Sequence, residues 1–249
     1  MEVHAHSHTA RKKWTHYFWE FLMLFLAVFC GFLAEYQLEH KIEKDKEKQY
    51  IKSLLNDLSA DTTQLNARLN FRMGKMKTMD TIMYLLKKED LSANTGTLYY
   101  HGFYGPFAVK FIPNNGVLSQ LKNAGGLRLI RNQTVVDSLL LFDIETQWIV
   151  DFEIWERDMF MDLSLYEKIF DASVFEKHLR YQYPQNIFTL DRIPDNPPLL
   201  SDKKEDLDKF YNRVQRQKRI NAVVINRFYR LKLTIIRLMN LIKKEYKIE

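Results

Sequence analysis

Residues 14–36 read WTHYFWEFLMLFLAVFCGFLAEY, and from Phe21 to Ala34 the run holds no charge and no strongly polar side chain. Glu20 is the only formal charge between Trp14 and Glu35. At about 1.5 Å of rise per residue, a helix over this run covers roughly 30 Å, the thickness of the hydrocarbon core of a bilayer. The expectation is one N-terminal transmembrane helix over residues 14–36. It follows a short tail (1–13) and precedes a charged stalk (37–53) and a larger helical domain (54–249).

The flanks refine this expectation. A lipoprotein signal needs small residues before its cysteine, but Val28 and Phe29 precede Cys30. A cut after Ala34 would place Phe32 where a small residue is required, so an uncleaved signal anchor fits better than a removable signal peptide. Arg11, Lys12 and Lys13 abut the run directly. Positive residues favour the cytoplasmic side, so the N-terminus is expected in the cytoplasm and the C-terminal domain outside it. In a Gram-negative cell that means the inner membrane and the periplasm. Cys30 is the single cysteine of 249 residues, which excludes an intrachain disulfide.

The rest of the chain reads as helix. Only 8 Gly and 6 Pro are present, too few for a turn-rich all-β domain. The net charge of +6 is spread as alternating Lys/Arg and Glu/Asp. That mixture describes solvated helix surfaces and gives no nucleic-acid-binding face. Three apolar-periodic segments stand out. In Glu35–Lys88, Leu54, Leu58, Leu65, Leu69, Met73, Met76, Met83 and Leu86 step by threes and fours. In Asn132–Phe170 the stripe is Val135, Leu139, Phe142, Ile149, Phe152, Met159, Leu163, Tyr166 and Phe170, with Thr146 and Glu156 as polar interruptions. Thr134 and Asp137 have capping-box spacing at its start. In Lys204–Lys247 it is Val214, Gln217, Asn221, Val224, Phe228, Leu231, Ile235, Leu238 and Ile242, where a polar Asn221 can fix register. Arg227, Arg230, Lys232 and Arg237 exclude a second span there. The fold class expected is mainly α: a transmembrane helix continuing into a stalk, then an elongated antiparallel bundle with irregular connectors. The connector at 90–115 reads as a short strand or hairpin, and Pro184, Pro194, Pro197 and Pro198 bar a continuous helix over 175–202.

Leu121–Asn132, LKNAGGLRLIRN, reads as a short helix ended by Gly125 in the left-handed region. Leu127, Leu129 and Ile130 then return to a core, and Asn132 can begin the next helix. This run resembles the L-K-x-S-G-x-L-x-L-I-x-N pattern of uncharacterised single-span bacterial envelope proteins, a domain-of-unknown-function family. The early Glu in the span and the Leu54–Asp57–Leu58 stretch are similar too. The likeness extends to about Phe142 and departs at Gly126, where a polar residue is commoner. It implies a membrane location and a helical extracytoplasmic domain, and no chemistry.

Candidate sites are few. Glu20, Ala27 and Ala34 are seven apart, and Gly31 completes a small-residue stripe. Such a stripe lets a sister or partner span approach closely; the competing reading is a lipid-facing helix whose Glu20 reaches the headgroups beside Trp14 and His16. A sharper version makes Glu20 the acid of an accessory subunit in an ion-driven complex. His4, His6 and His8 have weak metal-ligand spacing, with an adventitious tail as the plainer reading, so no metal or cofactor is expected. Tyr99, Tyr100, His101, Phe103 and Tyr104 form a candidate recognition loop, or a fold over the end of the bundle. The Met stripe (Met73, Met76, Met79, Met83) and the pair Trp148 and Trp155 read as packing. No G-x-S-x-G, P-loop, G-x-G-x-x-G or H-E-x-x-H occurs, His101 and His178 are isolated, and the acids are taken as surface residues. The expectation is a non-enzymatic, membrane-anchored interaction or scaffold module. It would self-associate through span and seams and hold an unknown envelope protein partner. A sensor-like ligand-binding bundle is the first alternative.

Overall fold

A computed structural model describes residues 14–123, 125–182 and 187–248, with Ile187 described by its backbone alone. His4, His6 and His8 lie outside the described residues. The fold is mainly α, and its longest helix, α1, runs from Trp14 to Leu85. The chain divides into two compact units, the first ending at Ile51 and the second starting at Lys52.

In the first unit no side chain from Trp14 to Tyr36 is buried, and Trp14, Phe21 and Leu24 are 80, 65 and 69% exposed. A helix apolar on every side, closed in its own backbone hydrogen bonds, has the length and composition of one membrane span.

The second unit is built on α1 from Lys52 onward, α4 (Gln133–Phe160) and α7 (Lys204–Tyr246). Helix α7 runs antiparallel to both others. Along α4, Asn132 pairs with Glu245, Glu145 with Thr234, and the Phe160 carbonyl with Arg213. Along α1, Arg72 pairs with Asn221, and Asp80 with Lys218. Helices α1 and α4 therefore share a direction, which requires the chain to return between them. It does so through α2 (Thr95–Tyr104), an extended stretch over 106–115, and α3 (Gly116–Asn123). Pro113 restricts Ile112 to extended backbone. This stretch makes no sheet, so side chains satisfy its peptide groups. Gln64 and Ile112 exchange two bonds (2.8 and 2.6 Å), Asp61 accepts from Asn114 N–H at 2.8 Å, and Glu153 accepts from Phe111 N–H at 2.9 Å.

The seam expected on α7 is buried at every position from Val214 to Ile242. Gly125 has φ 65° and ends the turn after α3, and the Asn132 side chain accepts from Val135 N–H at 3.1 Å to start α4. Four details differ from expectation. Residues 95–104 are helix rather than strand or hairpin, and the strands lie later, as the antiparallel pair β1 (Leu179–Gln182) and β2 (Ile187–Leu190). The 132–170 segment breaks after Phe160, where Arg213 takes the carbonyls of Phe160 and Asp162, and α5 (Ser164–Ile169) and α6 (Ala172–His178) follow. Asn132 caps α4, while Asp137 accepts from Gln133 instead of completing a box with Thr134. Finally, the buried stripe of α4 continues from Ile149 to Glu153 and Glu156, not to Phe152 and Met159. That of α1 continues from Leu69 to Arg72, Lys75 and Met79 rather than to Met73. Trp155, read as packing, is 47% exposed.

Candidate functional site

The aromatic segment is placed first. Tyr99 is fully buried, with its ring edge-on to Phe170 and Phe175 at 5.2 and 5.4 Å. Its hydroxyl donates to the Pro198 carbonyl at 2.9 Å and accepts from Asp171 N–H at 3.1 Å. Tyr99 is thus a core residue tying α2 to the proline-rich connector, not part of a recognition surface. Tyr100, His101, Phe103 and Tyr104 are half-buried. The Tyr104 hydroxyl accepts from Leu190 N–H at 2.9 Å, tying α2 to β2. Gly102 is required where it stands, because a Cβ there would lie 2.6 Å from Phe170 Cζ. Burial and the charge of Arg192 lower the His101 pKa.

The span candidates stay open to the surroundings. Glu20 contacts His16 Nε2 at 3.0 Å and is half-exposed, and a Cβ on Gly31 would meet nothing within 4 Å. Ala27, Gly31 and Ala34 are all exposed in the single chain.

The densest chemistry lies at the slipped seams. Arg72 is 1% exposed and donates four hydrogen bonds. Nη1 reaches Glu156 Oε1 (2.7 Å) and Asn221 Oδ1 (3.1 Å), and Nη2 reaches Glu156 Oε2 (2.7 Å) and Glu153 Oε1 (3.0 Å). Asn221 Nδ2 closes the circuit by donating to the Arg72 carbonyl at 2.9 Å. The planar guanidinium suits the bidentate grip on Glu156. Burial alone would lower the Arg72 pKa, but the hydrogen bonds and charges of Glu156 and Glu153 leave it raised. Burial raises the Glu153 carboxyl, and Phe111 N–H and Arg72 oppose that rise. One layer thus binds α1, α4, α7 and the extended stretch together.

One turn along α1, Lys75 is 7% exposed and much less well partnered. Its Nζ donates to the Phe107 carbonyl at 2.9 Å, and it forms no ion pair with a described carboxylate. An ammonium has three donors, so two lack an acceptor among the described residues. Burial lowers the Lys75 pKa to about 8, with Glu156 opposing and Arg72 reinforcing the drop.

Lys75 and Glu156 lie on the floor of a cleft of about 570 Å³. Its walls are mostly apolar: Phe103 of α2, Pro106, Phe107 and Ala108 of the return, Phe160 of α4, and Met161 and Leu163 beyond it. Phe103 is the one residue of the expected recognition loop that reaches this cleft. Two further polar side chains face in. Gln217 is 8% exposed, and neither its amide nor the Tyr166 hydroxyl has a hydrogen-bond partner among the described residues. Burial raises the Tyr166 pKa. Among the described residues no three His, Cys, Asp or Glu side chains gather as a metal would require.

Sequence reasoning named Gln217, Asn221 and Glu156 only as seam positions and missed Arg72, Lys75, Glu153 and Tyr166 as site residues. The available signal was their place on the 3–4 stripes: Leu65, Leu69, Arg72 on α1, and Thr146, Ile149, Glu153, Glu156 on α4. No protein-family model, curated protein or solved structure matches the chain.

Proposed function

We propose that this chain is a membrane-anchored ligand-binding module, sensor-like in plan and not an enzyme. Its N-terminal helix would hold it in a bacterial inner membrane, N-terminus in the cytoplasm, and its bundle would take up a small molecule in the cleft between α1, α4, α5 and α7. The observation that carries this reading is the pairing of an apolar cleft with idle polar groups at Lys75, Gln217 and Tyr166. Pockets that bind small molecules have this composition, an apolar wall with few polar groups to orient the guest. These groups open onto the cleft with hydrogen-bonding capacity that no described residue uses, and a guest that takes it up gains directed contacts inside an apolar wall. Native mass spectrometry of the full chain extracted from its membrane tests the idea. A bound small molecule, absent from an Ala108→Trp variant whose indole fills the cleft, is the expected result. A bare chain whose unfolding temperature no apolar probe raises would count against it.

The interaction or scaffold reading has its own support. On α4, Leu141, Ile144 and Trp155 are exposed, and Trp148 and Phe152, stacked at 4.7 Å, bridge them into one apolar stripe. Soluble surfaces seldom leave such stripes uncovered. Self-association through this stripe and through the Glu20, Ala27, Gly31, Ala34 face predicts an oligomer in detergent that Ile144→Glu with Trp155→Glu converts to monomer. Protease accessibility of intact spheroplasts tests the orientation.

A further inference from the structure

We infer that the guest of the cleft is a monoanion on an apolar body, a monocarboxylate whose head meets Lys75 and whose tail lies along Phe103, Phe107 and Phe160. This inference rests on the proposed ligand-binding reading and goes beyond it by naming the chemical class.

The head is assigned from the donors. Lys75 has two N–H groups without an acceptor among the described residues, and Tyr166 offers a hydroxyl in the same cleft. Gln217 supplies an amide that has no partner among the described residues. A carboxylate accepts at both oxygens and so matches a set rich in donors. Glu156 makes no hydrogen bond to Lys75, and each of its oxygens already accepts from Arg72. A cationic guest would therefore find no free carboxylate on the floor.

The charge number follows from the neighbours. Arg72, Glu153 and Glu156 together carry one net negative charge beside Lys75. A dianion would bring two more charges against one ammonium, because the other buried cation, Arg72, is committed to Glu153 and Glu156. Arg157, at the rim, is exposed and paired with Asp158 at 2.8 Å. A neutral amphiphile would satisfy hydrogen bonds but would bring the ammonium no charged acceptor in direct contact. Burial keeps the Lys75 pKa down at about 8, with the charge of Glu156 opposing and that of Arg72 reinforcing the drop.

The tail is assigned from the walls. Phe103, Phe107 and Phe160 give flat apolar surface, and Met161 gives adaptable surface. About 570 Å³ lies within the roughly 300–1,000 Å³ range of small-molecule sites.

Calorimetry on the full chain in discs of zwitterionic lipid decides the matter, with octanoate and octanol as probes and empty discs as the partition control. Octanoate is expected to bind saturably and about tenfold or more tighter than octanol, as a charge-assisted contact requires. Lys75→Met should remove that preference while leaving the chain folded by its thermal transition, and Ala108→Trp should abolish both signals. Equal binding of the two probes, lost in Ala108→Trp, would overturn the monocarboxylate and keep the cleft as a ligand site. Absence of saturable binding by either probe would overturn the ligand-binding reading itself. Repeating the titration in discs of an anionic phospholipid should leave octanoate affinity unchanged. Its loss there would assign the cleft to the lipid and overturn the free carboxylate.

Discussion

Arg72 and Lys75 are buried cations three residues apart on one face of α1, and the fold treats them in opposite ways. Arg72 receives two carboxylates and an amide at its two Nη groups, and its buried Nε has no partner among the described residues. Lys75 receives one carbonyl and faces a cleft. An ion-paired layer of this kind has its main value in specificity, since buried ion pairs add little net stability over apolar packing, whereas removing one partner is costly. An open cation is costly from the outset. The first aligns three helices, and the cost of the second is one that the proposed guest would offset.

Variants can break this contrast. The largest effect is expected from Arg72→Met, which strands Glu153 and Glu156 in the core and should cost about 3–5 kcal/mol in denaturant unfolding. Adding Glu153→Met and Glu156→Met to it should recover most of that loss; if it does not, the layer contributes more than charge pairing. Asn221→Leu, which removes one acceptor from Arg72 and one donor to its carbonyl, should cost about 1–3 kcal/mol. Lys75→Met should act in the opposite direction. Burial lowers the folded amine to a pKa of about 8 from 10.5, so its removal should stabilise the unliganded chain at pH 7 by about 1–3 kcal/mol. A loss of stability would show that Lys75 is a structural residue. The same shift predicts a pH dependence. Between about pH 8 and 10.5 the unfolded chain holds the Lys75 proton and the folded chain does not, so stability rises with pH across that window. Below it the full cost of the charged amine is present. Because other groups titrate there, the quantity to measure is the difference between wild type and Lys75→Met, which should shrink as pH rises. The smallest effect is expected at the rim, where Arg157→Ala removes an exposed ion pair and should leave the unfolding midpoint unchanged within error.

The same contrast explains what the sequence disclosed. The α7 seam was legible throughout because its apolar and amide positions keep step with the helix, Val214 to Ile242. The first half of α4 was legible for the same reason. Reading failed where a charge occupied a seam position beside an apolar neighbour. Hydropathy prefers Met73 to Arg72 and Phe152 to Glu153, so the stripe slipped by one residue on both helices. A charge on a seam looks like any surface charge until a partner of opposite sign is found on another helix, and that pairing is non-local. Helix α2 was misread because its aromatic and glycine residues resemble a hairpin, whereas Gly102 is there to admit the ring of Phe170. The Lys75 cleft was hidden for a further reason: its wall comes from a break after Phe160 that no proline or glycine marks.

Arg72 also sets an order of events at the ribosome. Its carboxylate partners are encoded 81 and 84 residues after it, and its amide partner 149 residues after it. Chains emerge N-terminal end first at about 5–20 residues per second, so Asn221 follows the guanidinium by roughly 7–30 s. The circle of partners around the guanidinium therefore cannot be completed before α7 has been made.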